Sequence, residues 1–563
     1  MDSDKRVFRK GISVFVLCVL SVVIVSSCRT RKPRKLSAQT HSTVSVEASK
    51  FKENKVASEI ESIFGDLAID DSVWQKGKVY DIRLAMQKAY AEEDYYPIWL
   101  TENGDTSYIA RLLNDLDSLR FDGLKPERYN IAEIQNLLKQ YIATKKVSVQ
   151  EVLHLDTLCT RSYLQAARDL LQGAVVPASV DTLWFHANDS VWQPYTALAK
   201  MGRGEGDYLG LDSFRSKIIT YPLLRKALMW YDGLRNDSAY IEAKKSITDG
   251  RITDSVKNAV MTSELPWDMM QDSVGMAMSH NLVAAYQYYI GAKNYSKKDS
   301  MTRAYLTYPI DTICNRIALN MERLRWMQQS MEQKYVLVNV PLLELFLRID
   351  GADSMHMEVV VGKTIRQTPS LNARMANVVI NPTWGVPPTI MLKDVLPGMA
   401  KKGKAYLKEK GLKVYDHKGN EVNSSVVNAN NYKKYVFRQD AGDDNALGYV
   451  KFNLPNKWDI YLHDTPHRGD FGKKDRFQSS GCIRVQKPKE MAEFILSTLE
   501  GRRYPVSRID SVIELEKTRY EVLKNRIPVH IVYLTAFEDS TSQHFHLIYD
   551  MYKRDGALKA ALQ

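Results

Sequence analysis

At Tyr335 the hydrophobic period of the chain changes, and that change limits the folds open to it. Before it, apolar residues recur three and four apart, the spacing of a helix face. In "EVLHLDTLCTRSYLQAARDLLQG" Leu155, Cys159, Tyr163 and Ala167 share a face, and the run stops at Gly173. "VYDIRLAMQKAYAEEDYYPIWL" predicts a helix ending before Pro97, with Tyr95, Tyr96 and Trp99 expected in a core. "DTSYIARLLNDLDSLRFDGLKPERYN" predicts an amphipathic helix capped near Asp105, then a turn from Gly123 to Pro126. The helical pattern persists through 241–328, where Met276, Val283, Tyr286 and Ile290 fall on roughly one face. From Tyr335 onward β-branched runs alternate with turns: "KYVLVNVPLLELFLRIDGADSMHMEVVVGK" reads as strands broken at Asp350-Gly351. "NVVINPTWGVPP" ends a strand in a proline-rich corner, and "YVKFNLPNKWDIYLHD" carries His463 to a strand end. "KPKEMAEFILSTLEG" is a helix with Pro488 in its first turn, and "IPVHIVYLTAFE" and "QHFHLIYDMY" are further strands, the second with His544 and His546 half-exposed. The expected fold class is multidomain α+β. A helical region (58–240) and a helical middle module (241–328) precede a mostly β domain (329–535). That domain is interrupted at 391–450 by an insertion rich in lysine, and the segment 536–563 follows it.

The first residues bear on compartment. Lys5, Arg6, Arg9 and Lys10 precede an apolar run from Gly11 to Val25, the layout of a signal peptide. The run is shorter than the ~20 apolar residues of a membrane-spanning helix. Ser26 and Ser27 stand before Cys28, as in a bacterial lipobox, so residues 1–27 are expected to be removed and Cys28 lipidated. An uncleaved anchor is the alternative, and in either case the body is exported and tethered. Residues 28–57 are basic, then rich in Ser and Thr, and read as a flexible tether that is either solvated or laid on anionic headgroups.

The net charge of +12 favours an anionic environment, and no nucleic-acid-binding module is recognisable, so the cell envelope is the simpler partner. Of five cysteines, Cys18 leaves with the signal peptide and Cys28 carries lipid. Cys159, Cys314 and Cys482 remain, too few for a disulfide framework. Cys159 and Cys314 lie in helical patterns and are expected in the core, with pairing between them left open.

Cys482 differs. It sits in "HDTPHRGDFGKKDRFQSSGCIRV", a polar stretch that packs poorly, downstream of His463. A free thiol near pKa ~8.5 is only a few per cent ionised at neutral pH, and an imidazole that takes its proton changes that. Gly481 permits close backbone approach, and amides there are placed to face an oxyanion. A metal site is the competing chemistry, since His463 and His467 are four apart with Asp464 and Asp470 nearby. Pro466 and Gly469 make the stretch a loop, however, and no metal is expected.

Several stretches together resemble the L,D-transpeptidase family with a YkuD-type catalytic domain: "YLHDTP", "SSGCIRV", "RQDAGDDNALGYVKF", "VVVGKTIRQTPS" and "NPTWGVPP". "YYPIWL", "DGLKPERYN", "NMERLRW", "PVHIVYLTA" and "IYDMYKRDGAL" resemble the long periplasmic subclass, which has a scaffold domain, a peptidoglycan-binding-like module and a capping subdomain. The resemblance implies that Cys482 attacks the diaminopimelate–D-Ala bond of a tetrapeptide stem and forms a thioester. A second stem's side-chain amine then resolves it to a 3→3 cross-link. It implies His463 as the proton acceptor, the Asp464 carbonyl as its orienting group, and the amides of Gly481 and Cys482 as the oxyanion site. Arg484 either fixes the loop or meets a substrate carboxylate. Trp384 either lines the cleft or belongs to the core, and Ser479 and Ser480 flank the substrate. Many family members have His where this chain has Ser480, although the long subclass resembles this chain in having Ser. The module at 241–328 lacks the Asp-Gly and Gly-rich turns of a peptidoglycan-binding repeat, so an architectural role stands beside glycan binding. The implied partners are peptidoglycan stem peptides and, through the lipid, a membrane, with no cofactor. The implied location is the periplasmic side of the cell envelope, at the outer membrane. An L,D-carboxypeptidase or other cysteine-dependent wall hydrolase, and a non-catalytic wall-binding lipoprotein, are the alternatives.

Overall fold

The computed structural model describes residues 49–65, 81–186, 194–266, 281–291, 300–428, 430–538 and 545–563. The signal segment, Cys28, most of the tether, Met276 and His544 lie outside the described residues.

The N-terminal region is helical because its apolar residues recur at helical spacing and its helix ends are capped. The long helix Val149–Gln172 starts in a capping box, in which the Ser148 hydroxyl accepts from the Glu151 amide while the Glu151 carboxylate accepts from the Ser148 amide. It ends at Gly173, and its Leu155, Cys159, Tyr163 and Ala167 are all buried. Asp156 on the same helix is fully buried and accepts from the amides of Ile98 (3.1 Å) and Trp99 (2.8 Å). It thereby fixes the "YYPIWL" turn. Trp99 is core, whereas Tyr95 and Tyr96 are half-buried. The first helix, Glu53–Phe64, begins ahead of position 58, inside the stretch read as tether, because Val56, Ile60 and Phe64 pack into this core.

The described part of 241–328 does not form a core of its own. Its buried side chains join those of the helices Thr220–Leu234 and Ile310–Arg325 and of the C-terminal strands in one cluster. Tyr231, Tyr289 and Phe545 illustrate this, with ring centroids 5.8 and 5.9 Å apart about Phe545. Arg325 of "NMERLRW" is fully buried and donates to the Asp122 carbonyl (2.7 Å) and the Tyr221 hydroxyl (3.0 Å), which joins this core to the "DGL" turn. Cys159 and Cys314 are buried free thiols.

The strands are β1 Trp184–Phe185, β2 Lys334–Asn339, β3 Glu344–Ile349, β4 Ala352–Gly362, β5 Ser370–Ile380, β6 Trp384–Gly385, β7 Lys413–Tyr415, β8 Val436–Gln439, β9 Val450–Asn453, β10 Leu462–His463, β11 Phe477–Ser479, β12 Ile483–Val485, β13 Arg519–Val532, β14 Ala536–Glu538 and β15 Phe545–Leu547. The main sheet runs β5-β13-β2-β3-β4-β12-β10-β9, and β9 pairs back onto β5. The sheet therefore closes on itself, which removes its edges. Its interior is filled by Val336, Val338, Leu345, Val359, Phe452 and Leu462, among others, with Met491 and Ile495 of the helical run 488–499 packed against it. β1, from the helical region, adds in parallel to β5. Between β5 and β9 the chain builds a small unit with its own sheet, β6-β8-β7, and a core around Val395, Leu407, Val414 and Phe437. This unit runs from Trp384 to Gln439, starting before the expected 391 and ending before 450, because Val450 already belongs to β9. His546 on β15 is buried against Phe537, not half-exposed, because its strand is covered by the helices of the second core. No helix among the described residues is long and apolar enough to cross a membrane.

Candidate active site

β10 and β12 are parallel neighbours, with Leu462 opposite Ile483 and His463 opposite Arg484. Alternation along a strand sends Leu462 and Ile483 into the barrel, where both are fully buried. Tyr461, His463, Cys482 and Arg484 therefore share the other face. β9 lies antiparallel to β10 with Lys451 opposite His463, which adds Lys451 to that face. The pairing of two short strands thus brings the histidine and the cysteine named from sequence to one surface.

His463 is 6% exposed, and its Nδ1–H donates to the Asp464 carbonyl oxygen at 2.5 Å. That bond fixes the tautomer and leaves the Nε2 lone pair to act as base. Burial, with Arg484 adding to it, holds the imidazole down at about 3, so it is neutral at physiological pH. The Asp464 carboxylate accepts from the Tyr449 amide (3.0 Å) and from Arg468 (3.0 Å), and burial raises its pKa. Gly448 makes room for it: φ there is +57°, and a Cβ would stand 2.4 Å from the Asp464 carboxylate. Gly448→Ala is expected to destabilise the protein by about 1–3 kcal/mol through the left-handed backbone alone and to displace Asp464 and its histidine. Thermal unfolding and the rate of cysteine acylation check both effects.

Cys482 is half-buried, packed in part against the barrel core, and not the exposed residue its polar sequence suggests. The reason is that the nucleophile loop folds down onto the sheet. The Cys482 thiol donates to the Asp459 carbonyl (3.5 Å), and Tyr461 shares the same strand face. Burial pushes the thiol up to about 11, against the opposing influence of Tyr461 and of the Lys451 ammonium. At rest the pair is a neutral thiol and a neutral imidazole. General-base transfer then requires the thiol to turn from Asp459 toward Nε2.

Gly481, at φ +121°, makes the turn into Cys482. Its amide donates to the Ser479 hydroxyl (3.1 Å), so the proposed oxyanion donor is engaged at rest. The Ser479 hydroxyl in turn donates to the Cys482 carbonyl (2.6 Å), and the residue is buried, so Ser479 shapes the loop and does not face a substrate. Ser480 is exposed and accepts from Arg366 (3.0 Å), whose guanidinium also binds the Asp394 carboxylate of the inserted unit (2.8 Å). Arg484 is half-buried and bonded to Asp470 (2.9 Å), which favours the loop-fixing alternative. Trp384 lines a cleft of about 390 Å³ together with Tyr461 and Lys451. His467 is exposed, and among the described residues no group of three His, Cys, Asp or Glu is placed to hold a metal ion.

Sequence reasoning missed several members of the site. Tyr461 was findable, since it stands two residues before His463 on the same strand face. The brace beneath the nucleophile loop carried no local signal. Thr368 is fully buried and donates to the Gly481 carbonyl (2.8 Å). It is held by the Tyr552 hydroxyl at its amide and by Arg554 at its carbonyl (3.0 Å). The C-terminal segment thus supports the loop that carries Cys482 as well as the helical core.

The model of the YkuD L,D-transpeptidase catalytic domain matches residues 333–522, and that of the Scaffold domain matches residues 84–228. A Haemophilus influenzae protein named "Putative L,D-transpeptidase" is 35% identical over 228 residues, which are 40% of this chain and 45% of that protein. The chain thus spans less than half the length of this curated relative. The NMR structure of the catalytic domain from the E. faecium L,D-transpeptidase acylated by ertapenem is 12% identical. It covers 36% of this chain and 98% of that one, at a TM-score of 0.18. The structure of the Ldtfm-avibactam carbamoyl enzyme is 11% identical and covers 40% and 64%, also at 0.18. Likeness at that TM-score carries no weight for this chain, and the two domain matches carry the assignment of its domains. The chain carries a YkuD-type L,D-transpeptidase catalytic domain over residues 333–522, behind a scaffold domain over residues 84–228.

Proposed function

We propose that the protein is a peptidoglycan L,D-transpeptidase that forms 3→3 cross-links through a thioester on Cys482. The observation that carries this reading is the shared face of β10 and β12. It presents a half-buried thiol and a neutral imidazole whose Nδ1–H is tied to a backbone carbonyl. In the proposed reaction Nε2 of His463 accepts the thiol proton as sulfur attacks the carbonyl before D-Ala. The imidazolium protonates the departing amine, D-Ala leaves, and the acyl group stays on sulfur. The side-chain amine of a second stem then attacks the thioester, giving its proton to His463. The Cys482 amide, with the Gly481 amide once released from Ser479, holds the oxyanion. The inserted unit 384–439, joined to the nucleophile loop by Arg366 and Asp394, acts as the cap over the cleft. Lipidation at Cys28 and the tether behind it place this body on the periplasmic side of an outer membrane.

The test is incubation of the purified full chain with disaccharide-tetrapeptide stems, read by mass spectrometry. Cross-linked dimers lacking one D-Ala, with an acyl mass on the peptide containing Cys482, are expected. Tripeptide monomers alone would make the protein an L,D-carboxypeptidase. Absence of both products and of the acyl mass would leave a non-catalytic wall-binding role.

A further inference from the structure

We infer that Lys451 is the binding site for the free terminal carboxylate of the donor stem, and so the residue that selects stems ending one residue after the scissile bond. The inference rests on the transpeptidase reading and names the group on the substrate that the cleft recognises.

Three cations stand around the nucleophile, and two are already satisfied. Arg484 is paired with Asp470 and Arg366 with Asp394. Lys451 makes no ion pair among the described residues, and the carboxylate that acts on it from across the same cleft, Asp459, stands beyond ion-pair distance, yet the lysine is half-buried. Its ammonium rests 4.1 Å from the centroid of the Tyr461 ring, and burial lowers its pKa. A half-buried cation without a close ion-pair partner is unfavourable in the free protein, and such a group in a cleft marks a place where a ligand supplies the charge. The cleft that Lys451 lines, about 390 Å³, also presents the side chains of Trp384, Asn377 and Asn453.

The chemistry of the donor names the anion. The leaving group is an amino acid with a free α-carboxylate, and that carboxylate lies two bonds from the scissile nitrogen. Any stem whose scissile carbonyl reaches the Cys482 sulfur therefore carries a negative charge within a few ångströms of it. Tyr461 shares the strand face of the sulfur and carries the ammonium on its ring face, and the ammonium acts on the thiol electrostatically. The nucleophile and the free cation are thus separated by about one aromatic side chain, the spacing that a carbonyl and the adjacent terminal carboxylate require. A stem with one more residue presents a neutral amide to Lys451 and leaves the cation unpaired. This is how a single charge discriminates between stem lengths.

The experiment uses the full chain, wild type and Lys451→Gln, with two tetrapeptide-stem donors that differ only in their C-terminus, free acid against amide. The readout is the rate of acyl-enzyme formation on Cys482. Wild type is expected to prefer the acid by ~10- to 100-fold, the size of one charge-assisted hydrogen bond. Lys451→Gln is expected to lose the acid rate and keep the amide rate, so that the ratio falls toward one. Lys451→Arg, which keeps the charge, is expected to retain the preference, and it serves as the test if the glutamine variant does not fold. An unchanged ratio in Lys451→Gln overturns the inference while leaving the transpeptidase reading intact. So does an equal loss on both donors, which would assign the lysine to thiolate stabilisation. Failure of wild type to acylate with either donor overturns both.

Discussion

With Cys482 replaced by alanine, no acyl mass is expected on the protein, and turnover of stem peptides falls by at least ~10⁴-fold. The physical ground is that in the proposed reaction the bond to the acyl group is made by this sulfur, and the surrounding donors act only on the adduct it forms. The substitution removes one half-buried atom, so the unfolding midpoint is expected to move little, and a variant that folds and does not acylate isolates the chemistry. The thiol itself offers a companion measurement. Burial pushes it up to about 11, so only the thiol form is populated at neutral pH in the free protein. Alkylation of Cys482 by iodoacetamide should therefore keep rising with pH beyond the ordinary thiol value of ~8.5. A rate already level at pH 8 would mean a preformed thiolate–imidazolium pair and would contradict the neutral resting state.

His463→Gln is expected to slow acyl-enzyme formation ~10²- to 10⁴-fold, the usual contribution of a positioned general base. Glutamine retains an N–H for the Asp464 carbonyl but has no basic lone pair to replace Nε2. Activity within a few-fold of wild type would show that some other group takes the thiol proton. The same substitution has a pH signature in stability. The imidazole is held at about 3 in the folded protein, against 6.5 when exposed. Below pH 6.5 the unfolded chain binds a proton that the folded chain refuses, so stability falls as pH drops from 6.5 toward 3. Glutamine binds no such proton, and the variant should lose less stability between pH 7 and pH 4 than wild type. His186, buried and likewise held at about 3, stays in both proteins and contributes the same acid sensitivity to each. Comparing unfolding midpoints at the two pH values therefore isolates the contribution of His463.

The parts of the fold and site that were legible in the sequence are those with a local cause. The helix Val149–Gln172 announces itself through its capping box, its four-residue spacing and Gly173. The β-domain is legible from β-branched runs, and His463 and Cys482 from a strand end and a polar loop. The Asp464 carbonyl was nameable because it is adjacent to the imidazole it orients. Closure of the sheet by β5 and β9 had no such signal, since strand pairing is set by packing between distant segments. The brace on Gly481 was equally hidden: Thr368 and Tyr552 meet across 184 residues. Polarity misled for Cys482 and for Ser479, because composition reports what a loop is made of and not what it is folded against.

By itself, then, the sequence determined the residue types available for chemistry, the α-to-β switch at Tyr335, and the order in which histidine and cysteine reach neighbouring strands. The tertiary structure decided which of those residues are free to act. Arg484 and Arg366 are paired with Asp470 and Asp394, Lys451 is left with an aromatic face and no ion pair among the described residues, and the thiol and imidazole are both held neutral. Those outcomes depend on burial and on charges meeting through space, and neither quantity exists until the chain has folded.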